Sequence, residues 1–195
     1  VLSGSLPTSS PEIATMFADG GSAVIIENVI PDEGAPTRMG FAFGADGKYV
    51  ESLIVEGGGS VNFTNAETVR RNMHVIKMDN KVVGREAIRR MVEMASLAME
   101  RAGITNQNSI LIPHQANGMI MKEVAGQLEF RQEQVVSTID HTGNTSAAST
   151  GIALAEAVGK GMVNRNDYVV MVAFGAGFTF GALAIPMVGL PTRKG

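Results

Sequence analysis

The stretch ILIPHQANGMIMKEVAGQL, residues 110–128, reads as two elements in succession. Ile110-Leu111-Ile112 has the length and composition of a short buried strand, and Pro113, which cannot donate to a ladder, ends it. From Gly118 to Leu128 the period changes, with Met119, Ile120, Val124 and Leu128 spaced to share helix faces. His114, Gln115, Ala116 and Asn117 occupy the joint between them. The ends of strands in α/β proteins are where ligands bind and reactive side chains project. His114 is therefore a candidate functional residue, the alternative being a histidine simply satisfied at a helix start.

Working outward, Ala87, Ile88, Met91, Ala95, Ala98, Met99 and Ala102 recur at three and four residues from Gly84 onward. This predicts a long helix closed by Gly103. SAASTGIALAEAVGK (146–160) predicts a second, buried helix whose small residues allow close approach to neighbouring backbone. YVVMVAF (168–174) is a strand, and FTFGALAIPMV (178–188) supplies its antiparallel neighbour through a glycine turn. Upstream, Ala23-Val24-Ile25-Ile26 predicts a short buried strand after the turn-like Asp19-Gly20-Gly21. From about 31 to 81 the chain carries Pro31, Pro36 and Gly57-Gly58-Gly59, so this span is expected to be an irregular excursion with a short helix near Asn65 to Asn72. Strands alternating with helices define the α/β class, and 195 residues suit a single domain over 1–195.

Composition removes several functions. A net charge of −3 gives no phosphate-tracking surface, so nucleic acid is not an expected partner; the basic run Arg85 to Arg90, interrupted by Glu86, reads as a solvated helix face. The chain has no cysteine, which excludes disulfides, thiolate metal sites and a cysteine nucleophile of its own. Tyr168 to Leu190 is uncharged and long enough to cross a bilayer. Gly175, Gly177, Gly181 and Pro186 break it into strands, and no membrane association is expected. The chain opens Val-Leu-Ser-Gly-Ser without an initiator Met or an apolar leader, the pattern of a processed or excised portion.

Four further segments bear on chemistry. His74 has no partner at metal-ligand spacing and nothing resembles HExxH, so no metal site is expected. Asp140-His141 lacks the G-x-S-x-G elbow that would make it part of a hydrolase, and His141 reads as structural. Gly143-Asn144-Thr145-Ser146 has the grammar of a turn followed by an N-cap. Phe174-Gly175-Ala176-Gly177-Phe178 lacks the following helix and acidic residue of a dinucleotide site, whereas a tight turn exposing backbone N–H groups fits an oxyanion-binding role.

LIPHQAN (111–117), HTGNTSAAS (141–149) and AFGAGFTFGA (173–182), in this order, closely resemble the C-terminal half of 3-oxoacyl-acyl-carrier-protein synthase III, and FADGGSAVII (17–26) looks like that family's FGDGAGAVVL-type segment. The resemblance implies a thiolase-like fold with a mixed sheet covered by helices, one of two pseudo-repeated halves. It implies a cytoplasmic, dimeric acyltransferase that performs decarboxylative Claisen condensation of an acyl thioester with a malonyl thioester. The acyl-carrying cysteine would come from an N-terminal half, separate or missing. By motif, His114 and Asn144 would be catalytic, Ala176 would lend a backbone N–H to an oxyanion, and Asn117, Met78 and Asn80 would bind the substrate. No cofactor is implied beyond coenzyme A or acyl carrier protein thioesters as substrates.

Departures from the family pattern bear on these assignments. The motif commonly reads HQANxR with an arginine for carrier-protein docking, but Met119 stands there, shifting the expectation toward coenzyme A or another carrier. Ala176 stands where Gly is usual, and Asn80 where a glycine is. Two other functions share the same residues: an acyltransferase or head-to-head acyl-condensing relative of the same fold, and a non-catalytic partner subunit of a heteromeric synthase.

Overall fold

The structure is a computed structural model that describes residues 3–7 and 9–190. Its principal sheet has the order β1 (Gly40–Ala45), β6 (Thr179–Pro186), β5 (Tyr168–Gly175), β4 (Ser109–Pro113). The pair β4 and β5 is parallel, while β5 with β6 and β6 with β1 are antiparallel. A short ribbon of β2 (Leu53–Ile54) and β3 (Lys77–Met78) stands apart. The helices are α1 (Pro11–Ala14), α2 (Ala66–Arg70), α3 (Asn80–Ala102), α4 (Gly118–Gln127), α5 (Ile139–Thr142) and α6 (Ser149–Lys160).

Strand β5 is interior to the sheet, and Val169, Val170 and Val172 are buried from both faces. That is why YVVMVAF reads as a continuous apolar run instead of an alternating one. Helix α3 covers one face with Met91, Ala95 and Ala98, all fully buried and spaced for a single helical stripe. Strand β1 lies unusually close to this helix. A Cβ on Gly40 would fall 2.0 Å from the Ala98 carbonyl oxygen, so only glycine permits the approach. On the opposite face, Ala153 and Ala157 of α6 pack with Ile112 and Val169. The small residues of α6 do what their composition suggests: they bring helix backbone down onto the sheet.

Charge on α3 is distributed differently from the expected solvated face. Glu86 is buried, accepting hydrogen bonds from Arg89 at 2.6 Å and Arg85 at 3.2 Å. These arginines hold its carboxyl below the usual carboxylate range, Arg89 most strongly. Arg90 reaches across to Asp46 at 3.0 Å. The helix needs these cations to satisfy a carboxylate that packing has taken out of water.

Two stretches depart from the sequence reading. Residues 23–26 form no strand, and Val24, Ile25 and Ile26 are 67%, 86% and 93% exposed. A strand needs a neighbouring edge for its backbone groups, and no described strand pairs with this segment. The span 31–81, expected to be irregular, contributes β1 to the main sheet as well as β2 and β3. GFAFGA is poor in strand-forming residues; register with β6, from Gly40 opposite Ala184 to Ala45 opposite Thr179, stabilises it instead. The short helix expected near 65–72 is α2, with a reciprocal cap between Asn65 and Thr68. Helix α3 starts a turn earlier than its periodicity indicates, because Asp79 accepts from Lys81 N at 3.0 Å and Val82 N at 3.1 Å.

Candidate active site

A cavity of about 1020 Å³ opens beyond the C-terminal ends of β4 and β5. All six residues singled out from the sequence, His114, Asn144, Ala176, Asn117, Met78 and Asn80, line it. They arrive from five places: the β4–α4 joint, the α5–α6 connection, the β5–β6 turn, the N-terminus of α4 and the β3–α3 junction. Their convergence is a product of topology. Two parallel strands must both be left at the same end, and the connections gather there.

The position of His114 follows from the sheet. Pro113 lies opposite Val172 in the parallel register, and the next amide, His114 N–H, donates to the Val172 carbonyl at 2.7 Å. Gln115 then holds the turn. Its side chain is fully buried, donating to the carbonyls of Pro113 at 2.7 Å and Val136 at 3.2 Å and accepting from Thr138 N at 2.8 Å. Every polar contact of that amide is internal, so Gln115 shapes the loop and takes no part in the cavity wall.

The imidazole Nδ1 of His114 lies 2.7 Å from Ser149 Oγ at the start of α6. Burial pushes the His114 pKa down to about 4, because the surrounding protein disfavours the charged ring. The side chain is therefore neutral near pH 7, with one nitrogen a donor and the other an acceptor.

Asn144 is 3% exposed. Its side-chain oxygen accepts from Ser146 N at 2.9 Å, which settles the amide's orientation. The NH2 group donates one long hydrogen bond to the Ala116 carbonyl at 3.5 Å, and its second hydrogen has no partner among the described residues. The backbone of Asn144 is tied to the N-terminal segment: its N–H donates to Met16 O at 3.1 Å and its carbonyl accepts from Ala18 N at 2.9 Å. Asn117 caps α4, its oxygen accepting from Met119 N at 2.8 Å, so its NH2 group too remains available.

The cavity rim carries Glu12, Arg85, Arg89 and Glu123 beside Met119, which is 82% exposed. His74 and His141 lie outside it. His141 is exposed and bridges Glu156 at 2.9 Å and Asp140 at 2.8 Å; these carboxylates raise its pKa, Glu156 foremost. Among the described residues no cluster of three or more His, Cys, Asp or Glu could hold a metal, and no helix is long and apolar enough to cross a membrane. Ser149 and Gln115 are the residues the sequence reading passes over. Their importance comes from contacts more than twenty residues distant, for which no local pattern exists.

A mixed sheet covered by helices is the architecture of the thiolase-like class, and the solved structures this chain resembles share that fold. Residues 99–187 match the family described as 3-oxoacyl-[acyl-carrier-protein (ACP)] synthase III C terminal. The chain is 39% identical over 171 residues to the beta-ketoacyl-[acyl-carrier-protein] synthase III of Desulfitobacterium hafniense (strain Y51), covering 87% of this chain and 51% of that protein. It is 39% identical over 173 residues to the same enzyme of Clostridioides difficile (strain 630), covering 88% and 52%. The crystal structure of 3-oxoacyl-(acyl carrier protein) synthase III from Pseudomonas aeruginosa PAO1 superposes with a TM-score of 0.67 at 32% identity, covering 79% of this chain and 45% of that one. The corresponding structure from Aquifex aeolicus VF5 gives 0.68 at 32%, covering 80% and 46%. The chain belongs to the 3-oxoacyl-[acyl-carrier-protein] synthase III family, whose C-terminal region its residues 99–187 match. It spans about half the length of the curated relatives it matches.

Proposed function

We propose that this chain supplies the enolate-stabilising half of a decarboxylating condensing site, the acyl-carrying cysteine coming from an N-terminal half. The observation that carries the reading is that neutral His114, Asn144 and the Ala176 turn all line one cavity. Carbon–carbon bond formation from a malonyl thioester needs somewhere to hold the charge released when carbon dioxide leaves. Two fixed donors, neither of which must change its own charge, meet that need.

In this reading the acyl group sits on the cysteine as a thioester, and a malonyl thioester enters the cavity. Its carboxylate leaves as carbon dioxide. The bonding pair passes into the enolate, whose oxygen accepts hydrogen bonds from His114 and Asn144. The enolate carbon attacks the acyl carbonyl, the resulting oxyanion meets the Ala176 N–H, and collapse expels the cysteine thiolate and releases the 3-oxoacyl thioester. Each donor contributes about 3 kcal/mol of barrier lowering. The NH2 of Asn117, with Met78 and Asn80 in the same cavity lining, lines the path of the thioester arm. Met119 at the rim removes one cation from the expected docking surface, favouring coenzyme A or a carrier that does not use that contact. The working unit is a dimer of complete enzymes.

The test uses the complete natural polypeptide or the complex that contains this chain. Carboxyl-labelled malonyl thioester should release one carbon dioxide per product formed, and His114→Ala or Asn144→Ala should each lower turnover by about a hundredfold or more. Acyl transfer without carbon dioxide release, or unchanged turnover in both variants, would overturn the reading.

A further inference from the structure

We infer that Ser149 is the positioning residue that fixes His114 as the Nε2–H tautomer, its hydroxyl donating to Nδ1. The inference rests on the proposed role of His114, and it concerns a residue outside the cavity wall.

Three contacts decide the direction of the hydrogen bond. Ser149 Oγ lies 2.7 Å from His114 Nδ1, where either atom could be the donor. The backbone N–H of Gln115 reaches the same oxygen at 3.2 Å, and a backbone N–H can only donate. One lone pair of Ser149 Oγ is thus already occupied. The hydroxyl's own proton still needs an acceptor. Ser149 is 1% exposed, so water does not serve, and among the described residues no further hydrogen bond of this hydroxyl occurs. The acceptor within reach is His114 Nδ1.

The opposite tautomer would leave a buried hydroxyl proton with nowhere to go, since Nδ1–H and Gln115 N–H would both point at one oxygen. A buried donor without a partner is disfavoured. A neutral ring has one proton to place, and with Nδ1 accepting, that proton sits on Nε2. Nε2 is then the donor offered to the cavity that His114 lines, which is the state required to bind an enolate oxygen.

The sequence explains why the serine holds still. Ser149 is the first residue of α6, and the same helix buries Ala153 and Ala157 against the sheet. Its side chain is therefore anchored by packing and not by solvent-exposed loop, and Gln115, itself fully buried, aims its backbone N–H from the other side. Seen this way, the small-residue helix has a chemical as well as a packing role.

The test is made on the complete natural polypeptide and has two readouts. Two-bond 1H–15N correlation of the His114 imidazole should report the Nε2–H tautomer in the natural protein and loss of that preference in Ser149→Ala. Ser149→Thr, which keeps the hydroxyl, should retain it. In steady-state kinetics Ser149→Ala should lower kcat by about tenfold with little change in KM, and Ser149→Thr should recover most of the loss. An Nδ1–H tautomer in the natural protein overturns the inference without the help of any variant. So does Ser149→Ala with the Nε2–H tautomer and kcat both unchanged. The tautomer readout stands apart from turnover: were His114 not catalytic, the spectrum would still follow Ser149 while the kinetics would not.

Discussion

His114 should resist protonation well below the ordinary histidine range, and the stability of the protein should reveal it. Moving its pKa from near 6.5 to about 4 corresponds to about 3 kcal/mol of differential proton affinity between unfolded and folded states. One edge of the ring faces an open cavity, so solvent screening makes this an upper value. The direction follows from linkage. As pH falls through about 6.5 the unfolded chain takes up a proton that the folded chain refuses until about pH 4, so the unfolded state is favoured progressively across that window. Urea unfolding of the complete polypeptide at a series of pH values should therefore show the natural protein losing up to about 3 kcal/mol between pH 7 and pH 4 relative to His114→Gln, which has nothing to titrate. Above about pH 7 the two curves should run parallel. A 1H–15N titration that places the His114 midpoint at 6 to 7, or unfolding curves that stay parallel down to pH 4, would refute the argument that burial governs this ring.

Other perturbations act on separate parts of the structure. His141 should titrate above the ordinary histidine value and drop toward it in Glu156→Gln, as followed by NMR; its stabilising contribution is present at low pH and lost as pH rises through the raised value. Gly40→Ala should lower stability by roughly 1–3 kcal/mol through collision with the Ala98 carbonyl. Gly84→Ala, in the second turn of α3 with nothing within 4 Å of the added carbon, should raise it by about 0.5–1 kcal/mol. In thermal melts Gly40→Ala tests the close approach of β1 to α3, with Gly84→Ala as the uncrowded comparison; an unchanged melt for Gly40→Ala would count against that approach. Gln115→Leu should cost roughly 1–3 kcal/mol by stranding the buried Thr138 N–H and should reduce turnover as the His114 loop loosens, so wild-type melting and turnover together would count against this account.

What could be read from the sequence was what depends on near neighbours along the chain. Strands β4, β5 and β6 and helices α3, α4 and α6 have patterns set by their own burial, and each appears close to where its periodicity indicates. His114 and Asn144 were legible as candidates because both lie in local grammar that marks a strand end or a helix entry, within motifs that resemble a known family. Ala23 to Ile26 shows the limit of that reasoning: an apolar, β-branched tetrapeptide has every local reason to be a strand and is not one here, because strand stability resides in a partner edge. Strand β1 is the converse, glycine-rich and unpromising, yet held by register with β6 and by the closeness that Gly40 allows.

The candidate site divides in the same way. That a histidine and an asparagine are available was decided by the sequence, and so was the absence of a cysteine to work with them. That they meet in one cavity, that the histidine is neutral, and that Ser149, 35 residues further along the chain, sits against its ring were decided by the tertiary structure alone. Protonation and tautomer depend on desolvation and on donors brought together by packing, quantities that have no value until the chain has folded.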